Sequence, residues 1–291
     1  MPATLRATPA VLLCACLLGA CGSSQKPLVV GSKDETEQML LGEIVAQHLE
    51  RRLGRTVVRR TGLGGTGVVY QALLSGEVGV YPEYTGLIES EILKEPADKD
   101  PQIVFSRVKQ ELSRVAQIDV LDSLGFNNPS VLVVSAAGAE KIASLSDAAR
   151  AETRWKLGLT YEFQFRDDAL QALAPYRLPM APARVLDAKQ LFAALEKGDV
   201  NMIATRATDG HLISPGWKTL EDDQKVFPAY EACLLVRKDL VAADPMLRPA
   251  LAELSGKFNF ETMRKLNAQV DVEHRPVATV AADFLAQAGL R

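Results

Sequence analysis

The residue types that usually carry enzymatic chemistry are present in this sequence but are not spaced for it. The three histidines, His48, His211 and His274, lack the spacing of metal ligands and have no cysteine partner. No Gly-x-Ser-x-Gly nucleophile elbow occurs, and Cys233 has no neighbouring histidine to activate its thiol. The sequence therefore predicts no catalytic residues, no metal site and no cofactor.

The N-terminus has the pattern of a lipoprotein signal. The apolar run 11–18 is far shorter than the ~20 residues that span a bilayer. Leu18-Gly-Ala-Cys21 then places small residues before a cysteine, as a lipoprotein signal peptidase requires. We expect residues 1–20 to be removed, Cys21 to carry the lipid and residues 21–26 to form a tether. An ordinary cleaved signal with an incidental cysteine is the alternative.

One glycine-rich segment fits the dinucleotide-binding fingerprint. Gly62-Leu-Gly64-Gly-Thr-Gly67 follows a predicted strand and opens a predicted helix, and Glu83 lies at a tolerable distance. An exported protein meets no cytoplasmic nicotinamide pool, which argues against that role. We expect the glycines to let backbone N–H groups approach an anionic ligand group or another lobe of the fold.

The elements that must position these residues follow an α/β pattern. A chain of 291 residues is long enough for two lobes, and short apolar runs alternate with amphipathic stretches. The first helix is predicted to open at Asp34, with Asp34 and Glu37 at capping-box spacing, and to end at Gly54. A second α/β set begins after Asn127-Asn128-Pro129. Cys233 lies in an apolar run that predicts a buried, inert thiol.

The two α/β sets contain a short internal sequence repeat, called the internal echo below. Residues 70–80 and 192–202 each combine a helix, a glycine turn, an acid and a strand. The same offset places Tyr84 opposite Arg206, each just beyond its strand. Because ligands of open α/β sheets bind beyond the strand ends, two related lobes would direct both residues into a shared cleft. Chance recurrence of a common pattern is the alternative.

Several motifs resemble the binding proteins of the osmoprotectant ABC importers, the family that takes up glycine betaine, choline, carnitine and proline betaine. The most specific is Tyr81-Pro-Glu-Tyr-Thr-Gly86. Further matching segments follow in the family's order: Gly31–Gln38, Leu63–Thr66, Gly125–Asn128, Tyr161–Phe163 with Arg166, Thr208–Gly210 and Phe227–Tyr230. The similarity covers essentially the whole mature chain.

This resemblance implies an α/β, two-lobed type II periplasmic-binding-protein fold with a ligand cleft between the lobes. Lobe 1 is expected at residues 27–128 plus 234–291, and lobe 2 at residues 129–233. Such a protein is not an enzyme. It captures a small solute in the periplasm or at the cell surface, anchored to the membrane by its lipid, and delivers it to ABC permease subunits. We expect a monomer, and a net charge of −3 without a basic stripe predicts no nucleic-acid partner.

In the relatives, aromatic rings at four positions surround the trimethylammonium group, which has no N–H donor and is attracted to ring faces. Arg, Lys or backbone N–H groups hold the carboxylate. The four aromatic positions match Tyr84, Ser130, Arg206 and Tyr230, of which two are aromatic here. The resemblance implies these ligand-binding residues: Lys33, Tyr84, Thr85, Asn128, Arg166, Arg206, Asp209 and Tyr230.

The departures at Ser130 and Arg206 leave three interpretations. Betaine binds weakly, Tyr81, Phe163 or Phe165 completes the aromatic box, and Arg206 is directed to the carboxylate. The ligand is instead a different zwitterion or an anion, favoured by the basic residues of the site. Alternatively, the residue matching slips by one position in these loops. A guanidinium ~4 Å from a quaternary cation costs about 4 kcal/mol at an effective dielectric near 20, so the departures bear on the ligand. An exported enzyme on the same fold is a separate alternative.

Overall fold

The computed structural model describes residues 27–96, 98–137, 139–166 and 168–290. The predicted signal segment, the tether and Cys21 lie outside these residues and stay predictions. None of the described helices is long and apolar enough to cross a bilayer.

Strands and helices alternate along the described chain. The strands are β1 (Leu28–Gly31), β2 (Val57–Arg60), β3 (Val80–Tyr84), β4 (Ile118–Val120), β5 (Ser130–Ser135), β6 (Leu157–Leu159), β7 (Arg184–Val185), β8 (Met202–Arg206), β9 (Trp217–Leu220) and β10 (Ala232–Arg237). The α-helices are α1 (Thr36–Leu53), α2 (Thr66–Ser75), α3 (Thr85–Leu87), α4 (Pro101–Val115), α5 (Leu145–Arg150), α6 (Tyr161–Phe165), α7 (Leu191–Glu196), α8 (Lys238–Ala243), α9 (Leu247–Ala252), α10 (Phe260–Asp271) and α11 (Val277–Gln287). A π-helical turn spans Ile88–Ile92, and 3₁₀ turns span Gln171–Tyr176, Ala188–Gln190 and Gly210–Ile213.

The strands form two five-stranded mixed sheets with the same internal order. The first sheet runs β2-β1-β3-β10-β4 and the second runs β7-β6-β8-β5-β9. In the first, β1 is parallel to β2 and β3, and β10 is antiparallel to β3 and β4. In the second, β6 is parallel to β7 and β8, and β5 is antiparallel to β8 and β9. The two-lobed α/β fold is thereby confirmed, and β3 and β8 hold equivalent positions.

Helices cover both faces of the first sheet because its strands direct successive side chains to opposite faces. On β3, Val80 and Tyr84 pack with α1 and with the tail helices α9 to α11, whereas Tyr81 packs with α2 and α4. The C-terminal helices thus return to the first sheet. Cys233 is fully buried in the cluster of Tyr81, and burial raises the pKa of its thiol well above the usual value. The predicted buried thiol is confirmed.

The predicted end of the first helix is confirmed, but its predicted start is wrong. Gly54 ends α1 with a φ of 63°, a conformation that glycine adopts without strain. The helix begins at Thr36, after an extended Glu35 whose side chain makes no capping bond. The Asp34–Glu37 capping box does not form because the carboxylate of Glu37 is directed into the protein interior, where it accepts other hydrogen bonds.

Candidate ligand-binding site

The candidate site lies where β3 of the first sheet and β8 of the second sheet end. Tyr84 is the last residue of β3, and Arg206 is the last residue of β8. The antiparallel neighbour of each strand starts opposite these residues, with Ala232 paired to Tyr84 and Ser130 paired to Arg206. The equivalence that the internal echo predicted for Tyr84 and Arg206 is confirmed. It also places the two non-aromatic positions, Ser130 and Arg206, side by side.

A buried carboxylate joins the two lobes at this place. Glu37 is 7% exposed, and its Oε1 accepts hydrogen bonds from the Tyr84 hydroxyl and from Asn128 Nδ2, the latter at 2.9 Å. Its Oε2 accepts from Thr208 Oγ1 at 2.5 Å and from Asn267 Nδ2 at 2.6 Å. Burial raises the pKa of Glu37, and the donated hydrogen bonds oppose that rise. The sequence did not single out Glu37 as a site residue.

Two residues predicted to contact the ligand, Thr85 and Asn128, form hydrogen bonds with other residues of the protein. Thr85 Oγ1 accepts from the backbone N–H of Glu231 at 3.1 Å, and the backbone N–H of Thr85 donates to the Glu231 carbonyl at 3.0 Å. Asn128 Oδ1 accepts from the backbone N–H of Thr208 at 3.1 Å, in addition to the bond from its Nδ2 to Glu37. Both residues are buried and hold together the strands that cross between the lobes.

Lys33 is paired inside the protein rather than free in the cleft. Its Nζ lies 2.8 Å from Glu83 Oε1, and the two side chains are 3% and 0% exposed. The same Nζ lies 4.8 Å from the centroid of the Tyr84 ring. The ammonium group of Lys33 therefore already makes a cation–π contact with Tyr84. The resemblance implies that a ligand makes this contact.

The basic residues Arg166 and Arg206 of the second lobe both lie next to Tyr230. The guanidinium of Arg166 forms a two-pronged ion pair with Asp168, at 2.9 and 2.7 Å, and also contacts the Tyr230 hydroxyl. The Tyr230 hydroxyl donates to Asp168. Although burial opposes the charge of Arg166, the hydrogen bonds that Arg166 donates to Asp168 raise the pKa of Arg166 above its usual value. Arg166 and Arg206 lie over the Tyr230 ring, 5.3 and 4.9 Å from its centroid.

Arg206 differs from the other two basic residues in its hydrogen bonding. Its Nη1 is buried and has no hydrogen-bond partner among the described residues. An unsatisfied buried donor costs about 1–3 kcal/mol, and more when it is charged, so an acceptor placed there would be favoured. Among the predicted basic residues that the structure describes, Arg206 is thus the one with a buried donor that has no partner.

Two acidic residues of the first lobe interact electrostatically with these basic residues. The carboxylate of Glu35 feels the charges of Lys33, Arg206 and Arg166, which together lower its pKa although burial acts to raise it. Burial raises the pKa of Glu91, on the π-helical turn, against the opposing effect of Arg166 and Lys33. Sequence reasoning missed both acids. The presence of Glu35 inside the segment Gly31–Gln38, at a helix start after a strand, was the signal that could have indicated it.

The glycine-rich segment forms one lip of the cleft. Gly64 has a φ of 124°, which favours glycine. A Cβ placed on Gly65 would lie 3.8 Å from Oε1 of Glu162, which belongs to the second lobe. This proximity matches the predicted approach of the glycines to the other lobe. In the described part of the chain, no group of three or more His, Cys, Asp or Glu residues could hold a metal ion.

Comparison with known proteins identifies the family. Residues 26–287 match OpuAC, the substrate binding domain of ABC-type glycine betaine transport systems. The chain belongs to this family. It is 33% identical over 270 residues to an ergothioneine transport permease/binding protein, EgtU, of Helicobacter pylori strain G27, covering 91% of this chain and 48% of that protein. It is 33% identical over 280 residues to the glycine betaine-binding protein YehZ of Escherichia coli K12, covering 90% and 91%.

Solved structures of OpuAC-like proteins have the same fold. A glycine betaine/carnitine/choline ABC transporter structure superimposes with a TM-score of 0.81 at 23% identity, covering 90% of this chain and 99% of that chain. Apo YehZ from Escherichia coli superimposes with a TM-score of 0.73 at 32% identity, covering 92% and 100%. This OpuAC chain spans about half the length of the Helicobacter relative and nearly all of YehZ.

Two of the three residues considered for completing the aromatic box are unsuited to it. Tyr81 is fully buried in the cluster on the opposite face of the sheet from Tyr84. Phe163 is buried in the core of the second lobe, 6.2 Å from the Phe227 ring. Neither side chain is free to complete the box, because both belong to hydrophobic cores. Phe165 is 62% exposed, with its ring 4.6 Å from that of Tyr161, which is also exposed.

Asp209, also predicted to bind ligand, holds the turn after β8 together. Its carboxylate accepts from Thr205 Oγ1 at 2.6 Å and from the backbone N–H of His211 at 3.0 Å. It also lies 2.9 Å from His211 Nδ1. The structure therefore favours the capping role that its position before the turn Gly210–Ile213 suggests.

We expect His211 to titrate above 6.5 and His48 below it. The hydrogen bond that His211 donates to the Asp209 carboxylate raises the pKa of His211, whereas burial lowers the pKa of His48. The raised value means that the contribution of His211 to stability is complete below its unfolded pKa and is lost as pH rises through the folded value. NMR titration of the histidine rings measures both, and Asp209→Asn should lower the pKa of His211 alone. A His211 pKa at or below 6.5 in the wild type would contradict this assignment.

Proposed function

We propose that this chain is the extracytoplasmic solute-binding protein of an ABC importer and that its ligand is a quaternary-amine zwitterion of the betaine type. The observation that carries the proposal is the convergence of strand ends from two equivalent sheets on one group of aromatic and charged residues. The family membership and the ligands named for the relatives, glycine betaine for YehZ and ergothioneine for EgtU, support it. Both named ligands belong to zwitterionic betaines.

The proposed mechanism is capture without catalysis. The ligand contacts both lobes, so it stabilises the closed form by its higher affinity for that form. The closed form then docks on the permease subunits. We propose Tyr84, Arg206 and Tyr230 as the ligand-facing residues, because they lie where the two lobes meet. The other predicted residues have a supporting role, because their side chains are engaged in the hydrogen bonds and ion pairs within the protein that are described above. They are Lys33, Thr85, Asn128, Arg166 and Asp209.

A different zwitterion or an anion is the second candidate. It is favoured by a specific observation: cations of the protein already lie over the rings of Tyr84 and Tyr230. A simple quaternary cation without a carboxylate would have to compete with these charges. A solute that brings its own carboxylate would be attracted to them.

The proposed setting is the outer face of a membrane. We propose that Cys21 carries a lipid and that the mature chain works as a monomer with its lobes divided at residues 128/129 and 233/234. The separate sheet membership of β1 to β4 with β10 and of β5 to β9 supports this division. Incorporation of a labelled fatty acid that persists in Cys21→Ser would count against the anchor.

Thermal unfolding of the full chain, purified in detergent, tests the ligand class. The solutes are glycine betaine, choline, carnitine, proline betaine, ergothioneine and several amino and organic acids. A ligand at 100 times its dissociation constant adds about 2.7 kcal/mol of stability, which is readily seen as a higher Tm. We expect the zwitterionic betaines to raise the Tm. A response confined to organic acids would support the second candidate, and a response to none of the solutes would reject the proposed ligand class.

A further inference from the structure

The turn that follows β8 in the second lobe packs against helix α10, which belongs to the first lobe. Gly210 lies so close to this helix that a Cβ placed on it would be 2.4 Å from the backbone nitrogen of Ala268 and 2.6 Å from its Cα. Favourable contacts between non-bonded carbon atoms lie near ~3.5–4.0 Å, so no side chain fits at this position. The backbones of the two lobes are therefore in direct contact here.

Side chains of α10 also bind the carbonyl groups of this turn. Arg264 donates from Nε and Nη2 to the Ala207 carbonyl, at 3.2 and 2.7 Å. Asn267 Nδ2 donates to the Thr208 carbonyl at 2.9 Å and to Glu37 Oε2 at 2.6 Å. Two successive carbonyl groups of the second lobe are thus held by one first-lobe helix. We call this packing of the turn 207–210 on α10 the interlobe contact.

The interlobe contact lies beside the point where the chain crosses between the lobes. Asn128, at that crossing, accepts at Oδ1 from the backbone N–H of Thr208 at 3.1 Å and donates from Nδ2 to Glu37 at 2.9 Å. Asn128 is 3% exposed, Thr208 1% and Asn267 4%. Two bodies that rotate about a hinge move least near its axis. A buried contact beside a chain crossing is therefore of the kind that persists when the lobes open.

The same turn fixes the backbone of Arg206, one of the residues proposed to face the ligand. The carbonyl of Arg206, at the end of β8, accepts from the backbone N–H of Asp209 at 3.1 Å. Thr205 Oγ1 donates to the Asp209 carboxylate at 2.6 Å, which ties the turn to the end of the strand. The position of Arg206 relative to the first lobe, including its place 4.9 Å from the centroid of the Tyr230 ring, thus depends on how the turn packs on α10.

We propose that the interlobe contact is a fixed pivot between the lobes, and that Gly210 and Arg264 are positioning residues that keep Arg206 in place for the ligand. The positioning role rests on the proposed function and deepens it. The chain crossings join the lobes covalently, and the interlobe contact adds a non-covalent connection that restricts rotation to an axis near Asn128. Opening then separates the lips of the cleft while Thr208 stays bound to α10.

Hydrogen exchange of the full chain in detergent, without any added solute, tests the pivot. The backbone N–H of Ala207 donates to the Pro129 carbonyl, and that of Thr208 donates to Asn128. Mass spectrometry of peptides that cover the turn should show these two groups exchanging as slowly as those of β8, because the contact persists in the open form. Exchange more than about tenfold faster than in β8 would overturn the pivot, since it would reveal a contact that forms only on closing.

Gly210→Ala tests the positioning role. The added Cβ forces the turn away from α10, so calorimetry should show glycine betaine binding at least about tenfold more weakly. Exchange should become faster in the turn while β8 stays protected, a pattern that a general loss of stability would not give. Gly216→Ala is the matched control, because Gly216 is exposed and its Cβ would lie 3.5 Å from the Ser214 hydroxyl oxygen. It should change the Kd less than about twofold.

Arg264→Met tests the same contact from the first lobe. The variant removes both hydrogen bonds to the Ala207 carbonyl, so it should weaken glycine betaine about fivefold and speed exchange in the turn. Arg264→Lys, which retains an N–H donor, should recover part of that loss. Lys265→Met removes the neighbouring cation of the same helix, where the side chain is exposed, and should change the Kd less than about twofold.

The outcomes distinguish this inference from the function on which it rests. If the wild type binds glycine betaine and both Gly210→Ala and Arg264→Met bind it equally well, the positioning role is overturned. Variants that speed exchange in the turn and in β8 alike would overturn it too, because that result indicates a general loss of structure. If the wild type does not bind glycine betaine, the proposed ligand class fails, whereas exchange in the turn still decides the pivot.

Discussion

Glu37→Gln is expected to lower the free energy of unfolding by about 2–6 kcal/mol. The amide replaces one carboxylate oxygen with an NH₂ group, which would face two of the donors now bound by Glu37: the Tyr84 hydroxyl and Asn128 Nδ2, or Thr208 Oγ1 and Asn267 Nδ2. A buried donor left unpaired costs about 1–3 kcal/mol, and two are affected. Urea unfolding of the wild type and the variant measures the difference.

The matched control for this variant is Glu43→Gln on the same helix. Glu43 pairs with Arg59 in a partly exposed contact, with side chains 14% and 29% exposed. Its replacement should cost less than about 1 kcal/mol, as expected of an ion pair near the surface. Equal effects of the two substitutions would show that Glu37 does not have the joining role assigned to it.

Lys33→Met is expected to destabilise the protein by about 3–5 kcal/mol. Removing one partner of a buried ion pair leaves the other charge uncompensated, and Glu83 is 0% exposed. The double variant Lys33→Met/Glu83→Gln should recover most of that loss, because the uncompensated charge is then also removed. A double-mutant cycle on unfolding free energies measures the coupling between the two residues.

An exposed ion pair provides the comparison for Lys33. Arg60 and Glu77 are also in contact, but each side chain is 47% exposed. Arg60→Met should therefore cost less than about 1 kcal/mol. If Lys33→Met costs no more than Arg60→Met, the buried pair is not a stabilising element of the site. If the double variant binds ligand as the wild type does, Lys33 has a supporting role.

The arrangement of charges around Tyr84 and Tyr230 bears on the kind of solute that this site favours. Lys33 and Arg166 lie over Tyr84 and Tyr230, but each is balanced by a carboxylate of the protein, Glu83 or Asp168. Arg206 adds a further cation, 4.9 Å from the centroid of the Tyr230 ring. A site with these charges favours solutes that carry a negative group, and the proposed zwitterions satisfy that requirement.

Local sequence patterns determined the class of fold and the placement of the strand ends. The alternation of apolar runs and amphipathic stretches predicted two α/β sets. The equivalent positions of Tyr84 and Arg206 in the two sheets confirm this prediction. The burial of Cys233 followed from its apolar surroundings in the sequence. These features were predictable because they depend on residues within a few positions along the chain.

The tertiary structure alone decided which charges are paired. Lys33 is bound to Glu83, 50 residues away, and Glu37 accepts a hydrogen bond from Thr208, 171 residues away. The sequence showed basic residues suited to a carboxylate but could not show that Nη1 of Arg206 is buried without a hydrogen-bond partner among the described residues. The physical reason is that pairing depends on distances of a few ångströms between side chains from different elements, and those distances are set only when the lobes pack together.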